Sequence, residues 1–277
     1  MVADTTDPAE APDRESGKKA PIVVEGLAMA FGDFVVQRDL NFRVERNDIF
    51  VIMGGSGSGK STVMRAMIGL QAPAEGRLWF EGQSLWEIGD IARQDLMRGA
   101  GVVFQSGGLW SSMTLAENIG LPLGEYTDLN AGETHEIARL KLALVGLAGF
   151  EDFYPSEISG GMQRRAGVAR ALALDPKILF FDEPSAGLDP ISSERLDELI
   201  LQLRDSLGAT IIVVTHELAS IFTIANNCVF LDAESRTQIE TGNPLWLRDH
   251  SDNPTVREFL NRGHVDSEQG LIADEES

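Results

Sequence analysis

A glycine-rich loop that ends in a lysine and a serine gives this chain its clearest chemistry. Residues 54–61 match the pattern G-x-x-x-x-G-K-[ST] at every fixed position. The glycines let backbone N–H groups approach phosphate oxygens closely. Lys60 supplies a charge for the β- and γ-phosphates of a nucleoside triphosphate, and the hydroxyl of Ser61 suits Mg²⁺. The predicted phosphate-binding residues are Gly54, Gly55, Ser56, Gly57, Ser58, Gly59, Lys60, Ser61 and Thr62.

Two carboxylates follow a second apolar run. Lys177–Phe181 is typical of a buried strand, and Asp182 and Glu183 come directly after it. Beside a phosphate-binding loop, the first carboxylate can hold Mg²⁺, usually through water, and the next can polarise the attacking water. An isolated Asp-Glu pair would be no more than a solvated strand end. Its place after the glycine-rich loop makes Asp182 a candidate metal ligand and Glu183 a candidate base.

A second anion site lies between these motifs. By itself, Ser159-Gly160-Gly161 is typical of a tight turn. Here it opens a helix predicted from Met162 to about Leu174, whose free N–H groups and dipole favour an anion. One chain then carries two half-sites for one triphosphate. We therefore expect two copies of the chain to sandwich the nucleotide.

The elements that must position these groups indicate an α/β protein. An apolar strand, Ile49–Met53, runs into the glycine-rich loop. Residues 74–83 predict a turn, a short strand and a second turn, and residues 106–160 are mostly helical in pattern. An amphipathic helix is predicted from Asp189 to Gly208. In the helical region, four apolar residues fall on one predicted helix face: Ile137, Leu140, Leu144 and Leu147.

The three motifs, in this order, resemble the nucleotide-binding subunit of an ABC transporter over roughly residues 22–245. That resemblance implies ATP and Mg²⁺ as ligands. It also implies a P-loop ABC ATPase core with a mixed sheet, an antiparallel β subdomain and an inserted α-helical lobe at about residues 106–165. The implied organisation is a flexible acidic tail at 1–20, the ATPase domain at 21–245, and a C-terminal extension with an acidic tail at 246–277.

The resemblance also assigns roles to single residues. Phe31 occupies the position of an aromatic that stacks on adenine, and Gln105 that of a glutamine that touches Mg²⁺ and begins the loop toward the membrane partner. Asp189 matches the loop that crosses to the opposite subunit, and His216 matches a histidine that senses the γ-phosphate. The signature residues that contact the nucleotide are Ser159, Gly160, Gly161 and Met162.

A narrower similarity comes from three variant segments. The signature reads Ile-Ser-Gly-Gly-Met at residues 158–162 where Leu-Ser-Gly-Gly-Gln is more common, and residues 104–109 and 256–260 read FQSGGL and VREFL. Together they resemble the ATPase subunit of Mla/Mce-type lipid transporters. This implies a location on the cytoplasmic face of the inner membrane. The implied partners are a second copy, an integral-membrane permease, a periplasmic Mce-type lipid-binding protein and a small cytoplasmic regulatory subunit.

Two other functions remain open at this point. An importer ATPase for a polar solute such as an amino acid would use identical nucleotide chemistry. A soluble ABC ATPase acting on DNA or ribosomes usually has two nucleotide domains in one chain, or basic surfaces. The formal net charge of −20 argues against a nucleic-acid partner and against direct adsorption to anionic lipid.

Composition adds expectations for the remaining segments. No apolar stretch approaches the roughly 18–20 residues that span a bilayer, and the acidic start lacks the layout of a signal peptide. The single cysteine, Cys228, predicts a core position and excludes an intrachain disulfide. The tryptophans are expected to be packing residues, except that Trp110 could contact the permease. Residues 243–260 predict a helical extension, and disorder is expected beyond His264. The resemblance implies that this extension docks on the neighbouring ATPase subunit or on a small regulatory partner; the alternative is that it packs on its own domain.

Overall fold

The computed structural model describes residues 20–105 and 107–269, with side chains described up to Arg262. The predicted flexible tail lies outside the described residues, except for Ala20. Ser106 and residues 270–277 also lie outside them. The strands are β1 (Ile22–Phe31), β2 (Phe34–Val44), β3 (Ile49–Met53), β4 (Glu75–Phe80), β5 (Gln83–Ser84), β6 (Ala100–Val103), β7 (Ile178–Asp182), β8 (Thr210–Val214), β9 (Asn227–Leu231) and β10 (Gln238–Gly242).

The helices surround these strands. They are α1 (Lys60–Met67), α2 (Asp90–Met97), α3 (Leu115–Tyr126), α4 (Ala131–Leu144), α5 (Gly160–Ala171), α6 (Pro190–Leu207), α7 (Leu218–Ile224), α8 (Pro244–His250) and α9 (Pro254–Gln269). Their ends follow local chemistry: Thr114 and Asn130 form capping boxes at the starts of α3 and α4. Gly208 ends α6 with a φ of 64°, as its position in the sequence predicts.

Within the described residues the strands form two sheets. The first is antiparallel, in the order β2-β1-β4-β5. The second has the order β10-β9-β3-β8-β7-β6, in which β9, β3, β8, β7 and β6 are parallel and β10 is antiparallel. Because the carboxyl ends of parallel strands share one edge, the residues after β3, β7 and β8 meet there.

The central strands are apolar because both faces are covered. All of β3 is buried, and β8 is buried throughout. One face packs on α1 and the antiparallel sheet, where the rings of Phe42 and Phe50 stack at 5.4 Å. The other face packs on α3, α5, α6 and the C-terminal helices. Cys228 is buried in β9, at a core position as the sequence predicted.

The apolar face predicted for the helical region is only partly directed to the core. In α4 the buried residues are Ala138 and Leu142, whereas Leu140 is 63% exposed and Leu144 is 44% exposed. Leu147 is buried but lies beyond the end of α4. The predicted face lies beside the buried one: Ile137 is half-buried against the core, and Ala138 and Leu142 join the core that includes residues of α3 and α5.

The C-terminal segment packs on its own domain. Val256, Phe259 and Leu260 of α9 are buried, and the Phe259 ring meets Phe230 of β9 edge-on at 5.1 Å. The apolar character of 256–260 is therefore explained by packing within the chain. Helix α9 also runs past His264 to Gln269, where disorder was expected. Trp246 remains 57% exposed and stacks on His250 rather than in the core.

Candidate nucleotide site

The glycine-rich loop connects the end of β3 to the start of α1. Gly54 has a φ of 147°, and a Cβ there would lie 2.2 Å from the carbonyl oxygen of Leu231. Gly59, which caps α1, has a φ of 81°, and a Cβ there would lie 2.6 Å from Val36 Cγ1. Both positions therefore require glycine. The result is a loop held tightly between β2 and β9, with the N-terminus of α1 open to an anion.

Lys60 lies across this loop. Its Nζ donates hydrogen bonds to the carbonyl oxygens of Gly54 (3.0 Å) and Gly55 (3.1 Å). The side chain is almost fully buried, and desolvation lowers the pKa of Lys60 while the carboxylates of Glu183 and Asp182 raise it. A cation that is only partly compensated by carbonyls fits a phosphate group, which would restore its lost solvation.

A hydroxyl and a carboxylate meet beside Lys60. Ser61 Oγ donates a hydrogen bond to Asp182 Oδ1 at 2.9 Å, which joins α1 to the end of β7. Oxygen donors of this kind suit Mg²⁺. Among the residues that the structure describes, no group of three or more His, Cys, Asp or Glu side chains could hold a metal by itself. The pair thus fits a Mg²⁺ ion that takes its other ligands from phosphate and water.

Glu183 and His216 face each other across the sheet edge. Nδ1 of His216 lies 3.0 Å from both Oε1 and Oε2 of Glu183. Glu183 has a φ of 47°, and its N–H donates to the carbonyl of Val214 at 2.8 Å. A positive φ is uncommon outside glycine, and such backbone often occurs at functional sites. Here it follows from the abrupt turn that directs the carboxylate into the cleft.

Lys60, Ser61, Glu183 and His216 line one cavity of about 480 Å³, and Asp182 lies beside Ser61 without being among the described residues that line it. The structure brings together nine of the predicted residues there: Phe31, Ser56, Gly57, Gly59, Lys60, Ser61, Thr62, Glu183 and His216. Phe34 and Val36 also line the cavity and were not predicted from the sequence. Their signal was the two-residue turn at Gly32-Asp33, which pairs Phe34 with Phe31 across the hairpin.

Gln37 is a further residue that the sequence did not indicate. It is fully buried, and its Nε2 donates to the carbonyl oxygens of Ser58 and Asp232, both at 2.8 Å. The side chain therefore ties the glycine-rich loop to the turn after β9. Ser58, predicted as a phosphate ligand, is also fully buried. Its contribution to phosphate binding would come from the backbone.

The signature residues and Asp189 form a second cluster, and none of them lines the cavity. Ser159 caps α5 and accepts a hydrogen bond from the N–H of Met162 at 3.3 Å. A Cβ on Gly161 would lie 2.9 Å from Ser192 Oγ, and that hydroxyl donates to Asp189 at 2.5 Å. Both Ser159 and Gly160 are exposed. This cluster presents a helix N-terminus to solvent, away from Lys60 of the same chain.

Comparison with models of protein families shows to which family the chain belongs. The family model described as ABC transporter matches residues 37–186, more than half of the 277 residues. The chain belongs to the ABC transporter family. The fold is likewise that of an ABC ATPase domain: the chain superposes on the dimeric post-hydrolysis state of the ATP-binding cassette MJ0796 bound to ADP and Pi. The TM-score is 0.73 at 26% identity, over 80% of this chain and 98% of that chain. The sequence-based family, fold and enzyme class are confirmed.

The names of the curated relatives give different transported substrates. The chain is 39% identical over 240 residues to the probable ribonucleotide transport ATP-binding protein mkl of Mycobacterium tuberculosis, which covers 87% of this chain. It spans 66% of that relative's length. The intermembrane phospholipid transport system ATP-binding protein MlaF of Escherichia coli is 37% identical over 229 residues, 83% of this chain and 84% of MlaF.

In this ABC domain, a second cavity lies between the helical lobe and the strand-rich core. Its volume is about 560 Å³, and we call it the arginine-lined groove because Arg93, Arg98 and Arg170 line it. Arg93 and Arg98 also pair with aspartates three residues earlier in the chain. Trp110 lines the groove and is 61% exposed. Within the described residues, no carboxylate lines the groove.

Gln105 lies in the chain between residues that line this groove, with Val102 before it and Trp110 after it. It follows β6, is exposed, and is not among the described residues that line the nucleotide cavity. After it, Gly107 and Gly108 have positive φ values, and Arg170 donates hydrogen bonds to both of their carbonyl oxygens. This loop is thus fastened to α5. Within residues 20–105 and 107–269, no helix combines the length and apolar character needed to cross a bilayer.

Proposed function

We propose that this chain hydrolyses ATP and that hydrolysis drives movement of phospholipids or related lipids through an integral-membrane permease. The observation that carries the chemistry is the Glu183–His216 pair on the wall of the cavity that Lys60 enters. The observation that favours lipid is the similarity to MlaF across 84% of the MlaF chain.

Each functional side chain of the nucleotide site has one role in this proposal. Lys60 binds the β- and γ-phosphates, and the Ser61–Asp182 pair holds Mg²⁺, which would neutralise phosphate charge. Glu183 accepts the proton of the attacking water. His216 holds the carboxylate through Nδ1, which leaves its other ring nitrogen for a phosphate oxygen in the cavity that it lines.

The second half of the site would come from another copy. Ser159, Gly160, Gly161 and Met162 do not line the cavity of their own chain, although a helix N-terminus with a serine cap suits a phosphate. MJ0796, similar in fold, is described as a dimer. We therefore infer that the signature of one copy closes over Lys60 of the other, with Asp189 at the junction.

The permease would dock in the arginine-lined groove. Trp110 is a large exposed aromatic of the kind that anchors interfaces, and the arginines would pair with polar groups of the bound segment. The Gln105 loop, fastened to α5 by Arg170, connects this groove to the signature helix. Membrane attachment of this acidic chain would then come from protein contacts at the cytoplasmic face of the inner membrane. A periplasmic Mce-type protein would complete the path, and a small regulatory subunit could bind in addition.

A polar-solute importer is the second candidate. The glycine betaine/carnitine transport ATP-binding protein GbuA of Listeria monocytogenes is 38% identical over 224 residues, although this chain covers only 55% of it. The nucleotide site would be the same in either case. The two functions therefore differ only in the permease that occupies the groove.

Purification from native membranes tests the proposal. A tagged chain should recover a multi-span permease together with phospholipid, and ATPase activity of the complex should depend on Glu183. The Glu183→Gln chain should recover the same permease with its turnover lost. Recovery of a permease with a soluble solute-binding protein, and of no lipid above the level of an unrelated membrane complex, would decide for the importer.

A further inference from the structure

A second exposed aromatic stands beside Phe31 at the nucleotide cavity. Phe34 is 57% exposed and Phe31 is 56% exposed, and the two residues are cross-strand partners at the β1–β2 turn. Both line the cavity that also contains Lys60. Side chains of paired residues lie on one face of a sheet, so both rings are presented on the same side of the hairpin, toward the cavity. We call this pair the aromatic shelf.

Arg236 contacts one ring of the shelf. Its guanidinium carbon lies 4.7 Å from the centroid of the Phe34 ring, and its Nη1 donates to the carbonyl of Val35 at 3.0 Å. The carbonyl of Arg236 in turn accepts a hydrogen bond from the N–H of Arg38 at 2.9 Å. Arg236 is not among the described residues that line the cavity. The ring is thus restrained by a cation without losing its contact with the cavity.

We propose that Phe34, supported by Arg236, binds the nucleobase together with Phe31. The inference rests on the proposed function, since it assumes that Lys60 holds the phosphates. With the phosphates fixed at the start of α1, the base must lie toward the β1–β2 turn, where the shelf exposes its rings. Stacking on a ring that is already held in place costs less conformational entropy than stacking on a free one.

The shelf also defines how the base is recognised. The described residues that line this end of the cavity are Phe31, Phe34 and Val36, whose side chains offer no hydrogen bond. Stacking tolerates different bases because every base has a π-face. The site therefore selects by stacking area: ATP and GTP bind with similar affinity, and the smaller pyrimidine nucleotides bind more weakly.

The test compares a ligand that has a base with one that lacks it. Affinity of the full chain is measured by calorimetry, with Mg²⁺, for a nonhydrolysable ATP analogue and for inorganic tripolyphosphate. Base stacking on an aromatic is worth about 1–3 kcal/mol. Phe34→Ala should therefore weaken binding of the ATP analogue by roughly 5- to 150-fold. Its affinity for tripolyphosphate should stay within about twofold of the parent chain's, which also shows that the site is folded.

Further variants make the outcome specific. Arg236→Ala should weaken binding of the analogue several-fold and leave the affinity for tripolyphosphate unchanged. Trp246→Ala, which removes an aromatic of the same 57% exposure outside the cavity, should change neither affinity. Equal losses for both ligands in Phe34→Ala, or no loss for either, would overturn the role of Phe34. A different failure would show in Lys60→Ala: if that variant still bound both ligands normally, the proposed nucleotide site itself would be wrong.

Discussion

Nδ1 of His216 lies 3.0 Å from each of the two carboxylate oxygens of Glu183. One ring nitrogen therefore serves both oxygens, and the other remains for a ligand in the cavity that His216 lines. The contact links the ends of two adjacent strands, β7 and β8. It fixes the carboxylate where a water could reach it, although the two residues are 33 positions apart in the chain.

Loss of the Glu183 charge should stop turnover without preventing binding. Glu183→Gln keeps the shape of the side chain but cannot accept a proton, and general bases typically contribute factors of about 100 to 10,000. We expect phosphate release to fall by that factor while the affinity for ATP changes only a few-fold. The matched control is Glu217→Gln, a carboxylate one residue after His216. Normal turnover in purified Glu183→Gln would contradict the assignment of the base.

Removal of the Lys60 charge should instead weaken ATP binding. The lysine is buried across the loop, and in Lys60→Ala the phosphates lose their nearest cation. A charge-assisted contact is worth about 1.5–3 kcal/mol, so affinity should fall by at least about tenfold. Arg65→Ala removes the same charge from the exposed side of α1 and should bind ATP as the parent chain does. Equal affinities of the two variants would show that Lys60 does not contact phosphate.

The sequence predicted the parts of this site that depend on local spacing. The loop at 54–62 and the cap at Ser159 are each defined by neighbours in the chain, and the family model confirms the affiliation they indicate. Strand Ile49–Met53 and the end of α6 at Gly208 were also found where expected. In these segments, one short pattern determines the local conformation.

What the sequence did not reveal depends on contacts between distant segments. Gln37 supports Ser58 only because β2 crosses behind the loop, and nothing in the pattern of β2 shows this. Phe34 looked like an ordinary strand residue until its pairing with Phe31 placed it at the cavity. Likewise, Leu140 is exposed because the packing of α4 turns Ala138 inward. The periodicity of apolar residues predicts an apolar helix face, but it does not show which other element will pack against that face.

Two copies with different lesions should complement each other. If Ser159 of one chain completes the site around Lys60 of the other, a mixed dimer of Lys60→Ala and Ser159→Arg has both lesions in one site and an intact second site. Random mixing should then restore about a quarter of the parent rate per chain if the two sites act independently. ATPase assays of each variant alone and of the mixture measure this. A mixture no more active than its components, despite dimer formation, would contradict the shared site.

Trp110 should be needed for assembly with the permease. Truncating a hot-spot aromatic of an interface costs about 2 kcal/mol or more, so Trp110→Ala should weaken the affinity for the permease by roughly 30-fold, which is measured as reduced recovery of the permease from membranes. Trp246→Ala removes a similarly exposed tryptophan from α8 and serves as the control. Nucleotide affinity of each isolated variant, measured in parallel, shows whether the ATP site survived. If Trp110→Ala recovered as much permease as the parent chain, the permease would bind outside the arginine-lined groove.

Asp197 should make stability depend on pH. It lies in α6, is 6% exposed, and accepts a hydrogen bond from Ser220 of α7 at 2.8 Å. Burial raises the pKa of Asp197 to about 6; the Ser220 bond opposes this shift, and the charge of Glu217 adds to it. The folded state therefore holds its proton more tightly than the unfolded chain, whose carboxyl has a pKa near 3.8. The stability linked to this proton is fully present below about pH 4 and is lost as pH rises through about 6.

Asp197→Asn removes the ionisation and keeps an oxygen that can accept from Ser220. The variant should match the parent chain near pH 4 and become more stable by an amount that grows to a plateau above about pH 6. The plateau should be at most about 3 kcal/mol, because the pKa rises from 3.8 to about 6 and each pKa unit is worth about 1.4 kcal/mol. Urea unfolding of the dilute chain from pH 4 to 8 measures the difference. Asp128→Asn makes the same charge change at an exposed position and should show no such rise, and a flat difference for Asp197→Asn would mean that the buried carboxyl keeps its ordinary pKa.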